Sequence, residues 1–234
     1  MRRAFYLLSP GGWHDYANIL HPPYTAWHLS YVVLGAAMVR APDYGLLGWT
    51  VLAFLAAMGV SAHAFDELRG RPLGTTIPAA VLWGLGVGGT AAAVAIGLTT
   101  GLAATPLVLP FVAAGAWLVF AYNLEWPPFH HDLVFAFAWG AFPVLTSYAV
   151  QSGGLSTGSI VIAAAAAAIS LVQRRLSTRV RYLRRNVVSV EGYIVESSGG
   201  KVTVTQEWLV QDHERVLALL AAIMPAMALG LLLR

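Results

Sequence analysis

Three long stretches without a charged side chain constrain the fold of this chain more than any other feature. No Lys, Arg, Asp or Glu occurs at residues 44–65, 72–124 or 133–173. A helix needs about 20 apolar residues to cross a bilayer, so each stretch is long enough for one or two spans. Charged residues make up only 11% of the chain, against roughly 25% in a soluble domain. The sequence therefore predicts an integral membrane protein and excludes a soluble or a disordered chain.

The fold class that we predict is an all-α, polytopic membrane bundle with about seven transmembrane helices. Turn residues at 41–44, 99–101 and 152–154 separate neighbouring spans. A run of six alanines at 163–168 predicts close helix packing. The predicted spans are residues 24–39, 46–62, 77–98, 105–122, 133–150, 159–173 and 216–233.

The distribution of basic residues predicts the direction of the spans. Twelve of the 14 Lys and Arg side chains lie on the N-terminal side of this topology, and only Arg40 and Arg234 lie opposite. Basic residues are retained on the cytoplasmic side, so we expect a cytoplasmic N-terminus in the cell (inner) membrane, without a cleavable signal peptide. The net charge of +3 then reflects contact with anionic membrane lipid, and we expect no nucleic-acid partner.

The only sizeable polar segment follows the sixth predicted span. We divide the chain into a helical bundle with its N-terminal segment at 1–176, a cytoplasmic segment at 177–212 and a final transmembrane helix at 213–234. Apolar residues recur among the arginines of 174–185, which predicts an amphipathic helix lying on the inner membrane surface. Residues 187–190 and 201–205 flank a turn at 196–200 and predict a small β-hairpin, with a linker as the alternative.

All seven histidines lie on the predicted cytoplasmic side, and two groups of them stand beside carboxylates. In a continuous helix, His63, Asp66 and Glu67 share one face, because the two acids follow the histidine by three and four residues. Ionisable groups at the end of a span are expensive unless they are paired or functional. We therefore predict a polar site at residues 63–67.

A second group follows the fourth predicted span, where Glu125, His130 and His131 lie close together in the sequence. The two histidines are adjacent, so at most one of them can point inward from a helix. Imidazole with carboxylate suits zinc, iron or manganese, whereas carboxylate alone suits magnesium. The alternative is that single histidines are interface residues, as amphipathic side chains often are. The candidate metal ligands are His28, His63, Asp66, Glu67, Glu125, His130 and His131.

The order of these features resembles the UbiA-type superfamily of intramembrane prenyltransferases. Residues 20–29 resemble the family's entry into its first span, and residues 62–73 stand where the family carries the motif Asn-Asp-x-x-Asp-x-x-x-Asp. Tyr122 and residues 138–145 resemble its Tyr-containing loop and its fifth helix. The resemblance covers roughly residues 20–173. It implies a UbiA-like bundle that binds magnesium diphosphate at residues 62–73, with Asp66 as the matching motif acid.

The chain departs from the family pattern at two places. In the first motif only Asp66 keeps its identity, because His63 stands at the first Asp position and Gly70 at the last. The second Asp-rich motif has no counterpart, since residues 173–185 contain no acid and six arginines. Three hypotheses about function therefore stay open.

In the first hypothesis, Asp66 and Glu67 are catalytic carboxylates that hold one divalent ion, while arginines bind the diphosphate of an isoprenoid substrate that is transferred or cleaved. The candidate substrate-binding residues are Arg69, Arg71, Tyr122, Arg174 and Arg175. In the second, a bound transition metal acts on a lipid or quinone-like substrate, as an oxidoreductase or hydrolase. In the third, the protein is a non-enzymatic lipid-binding or assembly subunit. A homo-oligomer or a membrane partner is compatible with all three.

Overall fold

The fold, taken from a computed structural model, is described for residues 6–234. It is mostly helical, which confirms the all-α prediction. The helices are α1 (Trp13–Ile19), α2 (Pro22–Ala37), α3 (Tyr44–Leu68), α4 (Ala79–Ala104), α5 (Val108–Asn123), α6 (Asp132–Ser152), α7 (Thr157–Asn186) and α8 (Gln206–Leu232). Two short strands, β1 (Tyr193–Val195) and β2 (Lys201–Thr203), lie between α7 and α8.

Each of the seven predicted spans coincides with one of the helices α2 to α8. Five of these helices, α3, α4, α6, α7 and α8, are long and apolar enough to cross a membrane. The helices α2 and α5 have 16 residues each, or about 24 Å of length, against a hydrocarbon core of roughly 30 Å. Within residues 6–234 the chain therefore has five candidate membrane spans, and the count of seven stays a prediction.

Two of the three predicted breaks between spans are confirmed by their local chemistry. The Leu46 backbone N–H donates to the Asp43 carboxylate at 2.9 Å, which caps the start of α3. Gly153 ends α6 with a φ of 72°, in the left-handed region that glycine adopts without steric penalty. The predicted break at 99–101 is wrong. Thr99 and Thr100 donate their hydroxyls to carbonyls of the preceding turn, and α4 continues beyond them.

Three helices contain a π-helical segment, in which backbone hydrogen bonds join residues five apart instead of four. The segments are Leu55–Ala62 in α3, Gly97–Gly101 in α4 and Phe137–Ala141 in α6. Such segments are rare, and they occur frequently at functional sites. Those of α3 and α6 border the polar end of the bundle.

The arginine-rich segment is the end of α7, so the prediction of a separate surface helix is wrong. The 30 residues of α7 extend for about 45 Å, well beyond a hydrocarbon core of roughly 30 Å. Arg184 holds this extension against α8 through Glu214 at 2.8 Å and Glu207 at 3.1 Å. Acidic partners from a later part of the sequence therefore hold this end of α7 against α8.

The predicted hairpin is present, but its first strand is displaced. β1 pairs antiparallel with β2, and Tyr193 lies opposite Thr203. The Glu196 N–H donates to the Gly200 carbonyl at 2.8 Å, which places both strands directly beside the predicted turn. Residues 187–190 instead lead out of α7, where Val188 is fully exposed.

Small residues let the central helices approach each other closely. A Cβ added at Gly140 of α6 would lie only 2.6 Å from the carbonyl oxygen of Ala166 on α7. Ala163 and Ala166, both from the alanine run, are buried. Close packing of short side chains is what holds helices together in a membrane, where water exclusion contributes little.

Gly140→Ala should lower the unfolding temperature, because the new Cβ would meet backbone atoms that cannot rotate away. Overpacking of this kind costs about 1–3 kcal/mol. Gly84→Ala on α4 is the matched control, since nothing lies within 4 Å of a Cβ built there. Thermal unfolding of both purified variants in detergent measures the difference. Equal shifts in the two variants would contradict the close approach of α6 and α7.

Candidate functional site

Polar side chains meet where α3 and α5 end and where α2 and α6 begin, on the predicted cytoplasmic side. Ring centroids of His21 and His63 lie 4.6 Å apart, and those of Tyr122 and His130 lie 4.7 Å apart. The Arg174 guanidinium lies 5.8 Å from the centroid of the Tyr122 ring. We call this group the polar cleft, and its members are His21, His28, His63, Asp66, Tyr122, His130 and Arg174.

Asp66 is the carboxylate of the polar cleft that lacks a partner. It lies one turn after His63 on α3 and is partly buried, and its carboxylate oxygens accept no hydrogen bond from any side chain or backbone group of residues 6–234. The positive charges of Arg174 and Arg181 act on it from α7. Because an ionisable group at the end of a span is costly unless it is paired or functional, Asp66 is the strongest candidate for a ligand-binding group.

Glu67, the next residue, is already saturated with hydrogen bonds. It is fully buried and accepts from the Leu73 N–H at 3.0 Å, the Thr75 N–H at 2.8 Å and the Thr75 hydroxyl at 2.8 Å. These bonds hold the loop between α3 and α4 against the end of α3. Glu67 therefore stabilises the fold. Of these two adjacent acids, only Asp66 has carboxylate oxygens without a hydrogen bond.

Two histidines of the polar cleft are oriented by backbone carbonyls of the π-helical segments. Nδ1 of His28 lies 2.9 Å from the Trp139 carbonyl oxygen, and Nδ1 of His63 lies 3.1 Å from that of Gly59. A carbonyl oxygen only accepts, so each ring donates from Nδ1 and, when neutral, presents a bare Nε2. Gly59 and Trp139 belong to the π-helical segments of α3 and α6. Two imidazole lone pairs are thus available at this end of the bundle.

Aromatic rings form one wall of the polar cleft around Tyr122. His130 stacks on the Tyr122 ring and donates from Nδ1 to the Tyr122 carbonyl at 2.9 Å. Arg174 lies 5.1 Å from the Phe135 ring centroid, and its Nε donates to Asp132 at 3.3 Å. The Tyr122 hydroxyl is buried and has no partner among residues 6–234. An unpaired buried hydroxyl costs about 1–3 kcal/mol, which indicates a group available to a ligand.

Two residues of this region lie outside the set predicted from the sequence. His21 shares a hydrogen bond of 2.6 Å with the Tyr6 hydroxyl, 15 residues away. Burial, followed by the charges of His63 and two arginines, lowers the pKa of His21 well below 6.5. Asp15 of α1 accepts from the N–H and hydroxyl of Thr76, 61 residues away, and so helps to hold the α3–α4 loop. The sequence alone could not single out either residue, because their hydrogen-bond partners lie 15 and 61 residues away along the chain.

The remaining predicted site residues lie outside the polar cleft. Arg69 and Glu125 pair with each other at 3.3 Å in an exposed position. Arg71 donates to a carbonyl of the α3–α4 loop at 2.6 Å. Arg175 and His131 are exposed. Of the two adjacent histidines, only His130 therefore contacts the cleft.

Potential metal ligands do not converge in the part of the chain that the structure describes. Within residues 6–234, no group of three or more His, Asp or Glu side chains is close enough to hold a metal ion. A transition-metal site usually takes three or more such ligands, so a preassembled one is not supported. Magnesium needs fewer protein ligands, since one or two carboxylates together with substrate phosphates are sufficient.

Two apolar cavities lie within the bundle, the larger between α3, α4, α5 and α6 and the smaller between α3, α5 and α6. The larger has a volume of about 90 Å³ and the smaller of about 30 Å³. The smaller cavity reaches Trp139, whose carbonyl orients His28 and whose ring packs on Tyr122 at 4.6 Å. The residues that line both cavities are Phe54, Ala57, Gly115, Val119 and Phe142.

No protein-family model, curated protein or solved structure matches the chain. The likeness to the UbiA-type superfamily therefore stays a prediction from the motif positions. The geometry of the described residues is the basis for the proposals that follow.

Glu67→Gln should destabilise the fold, whereas Asp66→Asn should not. The glutamine amide nitrogen cannot accept the hydrogen bonds that the loop donates, which costs about 1–3 kcal/mol. Asp66 makes no such bonds, so its amide isostere leaves the free energy of unfolding unchanged or raises it. Denaturation of both variants in detergent separates the two roles. A loss of stability in Asp66→Asn as large as in Glu67→Gln would show that Asp66 is also structural.

Proposed function

We propose that this protein is an enzyme of the inner cell membrane with about seven transmembrane helices and a cytoplasmic N-terminus. Its substrate is an isoprenoid or related lipid with a phosphate-containing headgroup. The observation that carries the proposal is one cleft that combines the unpaired Asp66 carboxylate, the Arg174 guanidinium and the unpaired Tyr122 hydroxyl. The reaction class is prenyl transfer or diphosphate cleavage, as in the superfamily that the sequence resembles.

Arg174 is suited to hold the phosphate of the headgroup. Its Nε donates to Asp132, and its Cζ lies 5.1 Å from the Phe135 ring centroid and 5.8 Å from that of Tyr122. Its two Nη atoms make no hydrogen bond to residues 6–234. Two parallel N–H groups on a fixed plane match a phosphate bidentately. Arg181 adds a second positive charge near Asp66, which suits a diphosphate better than a single phosphate.

Asp66 is the residue that would hold a divalent ion together with the diphosphate. Magnesium binds through one or two carboxylates plus substrate phosphates, so a single free carboxylate is a sufficient protein ligand. When bound there, the ion would neutralise charge on the departing diphosphate. A magnesium site with one protein carboxylate is compatible with the lack of a three-ligand group in residues 6–234.

The polar residues also stabilise the charge that the reaction develops and accept the proton that it releases. When the bond between the prenyl carbon and the diphosphate oxygen breaks, its electron pair stays on the diphosphate, where Arg174 and Arg181 stabilise the charge. Water or an acceptor hydroxyl attacks the prenyl carbon and releases a proton. The bare Nε2 of His63, one turn before Asp66, is the base that takes this proton.

A transition-metal enzyme acting on a quinone-like substrate is the second candidate. It is favoured by the way His28 and His63 donate from Nδ1 to backbone carbonyls, since metal-binding imidazoles are usually oriented by such bonds. This candidate requires the ligands to move together when iron, zinc or manganese binds. It ranks below the first because the described side chains form no group of three.

Asp66→Asn should weaken the magnesium-dependent binding of a prenyl diphosphate by at least about tenfold, because the amide lacks the charge that holds the ion. Glu196→Gln is the matched control. Its carboxylate is exposed in the turn between β1 and β2, far along the chain from the polar cleft, so wild-type affinity is expected. Calorimetry of the purified protein in detergent, with and without Mg²⁺, measures both.

Equal affinity of Asp66→Asn and the wild type would contradict the proposed role of Asp66. Stoichiometric iron, zinc or manganese that is lost in His63→Ala would favour the second candidate. If neither the diphosphate nor a metal binds, the enzymatic proposals fail and a lipid-binding or assembly subunit is the remaining hypothesis.

A further inference from the structure

The arginines at the end of α7 differ in whether they have an acidic partner. Residues 133–190 contain six arginines and no acid. Arg174 and Arg184 pair with acids of α6 and α8, at 3.3 and 2.8 Å. Arg175 and Arg179 are exposed and make no hydrogen bond or ion pair to any group of residues 6–234. Two positive charges on α7 are therefore not neutralised by the described part of the chain.

Arg175 and Arg179 lie on one exposed face of α7, because they are four residues apart in a helix. Tyr182 follows on the same face and is 55% exposed. Toward the start of the helix this face carries Val161 and Val172, which are 60% and 50% exposed. The exposed face of this one helix thus changes from apolar side chains to positive charge.

The length of α7 places this change at the boundary between lipid tails and lipid headgroups. The helix begins at Thr157, directly after the turn that ends α6. Along the axis, Arg175 lies about 27 Å and Arg179 about 33 Å from Thr157. A hydrocarbon core is roughly 30 Å thick, and each headgroup layer adds roughly 5–7 Å. Both guanidinium groups therefore reach the headgroup layer on the predicted cytoplasmic side, where Tyr182 is also favoured.

An anionic phospholipid is the occupant that fits this face. Guanidinium groups bind phosphate oxygens bidentately, and unpaired arginines near a membrane surface attract anionic lipids. The exposed valines of the same face lie at the depth of the acyl chains. A soluble acidic protein would have to enter the headgroup layer to reach Arg175, whereas a phospholipid already has its phosphate there.

We propose that Arg175 and Arg179 form a binding site for the headgroup of an anionic phospholipid on the exposed face of α7. The acyl chains of this lipid lie along the face that includes Val161 and Val172. The polar cleft contains neither arginine, so the lipid site is independent of the proposed enzymatic function.

Replacing both arginines, Arg175→Gln with Arg179→Gln, should lower the affinity for phosphatidylglycerol at least about tenfold, because the two unpaired charges are lost. Affinity for the neutral lipid phosphatidylcholine should not change. Native mass spectrometry of the purified protein, titrated with each lipid, measures both. The matched control is Lys201→Gln with Arg215→Gln, which removes the same charge from exposed positions on the hairpin and on α8. Its affinity should equal that of the wild type.

Arg175→Lys with Arg179→Lys keeps the charge and should retain most of the affinity for phosphatidylglycerol. A loss as large as in the glutamine variant would indicate a disturbed helix and contradict the site. Equal affinity of the wild type and the glutamine variant, or equal affinity of the wild type for the two lipids, would overturn the proposal. Displacement of the bound lipid by inorganic phosphate at the same concentration would show a site for soluble anions and contradict a lipid occupant.

Discussion

Placing a charged side chain in hydrocarbon is costly, and even insertion scales, which give the lowest values, put the cost at roughly 2.5–3.5 kcal/mol. This cost explains where the ionisable side chains of the bundle lie. Glu67 is fully buried and compensates with three hydrogen bonds from the α3–α4 loop. Asp15 compensates in the same way through Thr76. The carboxylate of Asp66, next to Glu67 in sequence, has no such compensation within residues 6–234. The contrast between two neighbouring carboxylates distinguishes a structural group from a candidate binding group.

The polar cleft and the smaller apolar cavity share two stretches of backbone. The π-helical segments of α3 and α6 supply the carbonyls that orient His63 and His28, and they also line the smaller cavity through Ala57 and Trp139. Such segments are rare and occur frequently at functional sites, and both of these lie at the polar end of the bundle.

Much of the fold follows from the sequence, because charge-free length and turn residues are local signals. The positions of α2 to α8 and the Gly153 break are of this kind. The docking of the end of α7 on α8 is not, since Arg184 meets Glu207 and Glu214 from a later part of the sequence. For the site, residue type and spacing identify His63 and Asp66. Spacing cannot show that the carboxylate of Glu67, on nearly the same face, already accepts hydrogen bonds from backbone N–H groups six and eight residues later.

Selective chemical modification distinguishes a free Asp66 carboxylate at the proposed headgroup site from a structural one. A hydrophobic carbodiimide reacts with an accessible carboxyl group in an apolar setting, and mass spectrometry of the digested protein locates the adduct. We expect modification at Asp66 and not at the buried, hydrogen-bonded Glu67, together with protection of Asp66 by a prenyl diphosphate with Mg²⁺. Modification of Glu67 in preference to Asp66, or labelling of Asp66 that the ligand leaves unchanged, would contradict the account.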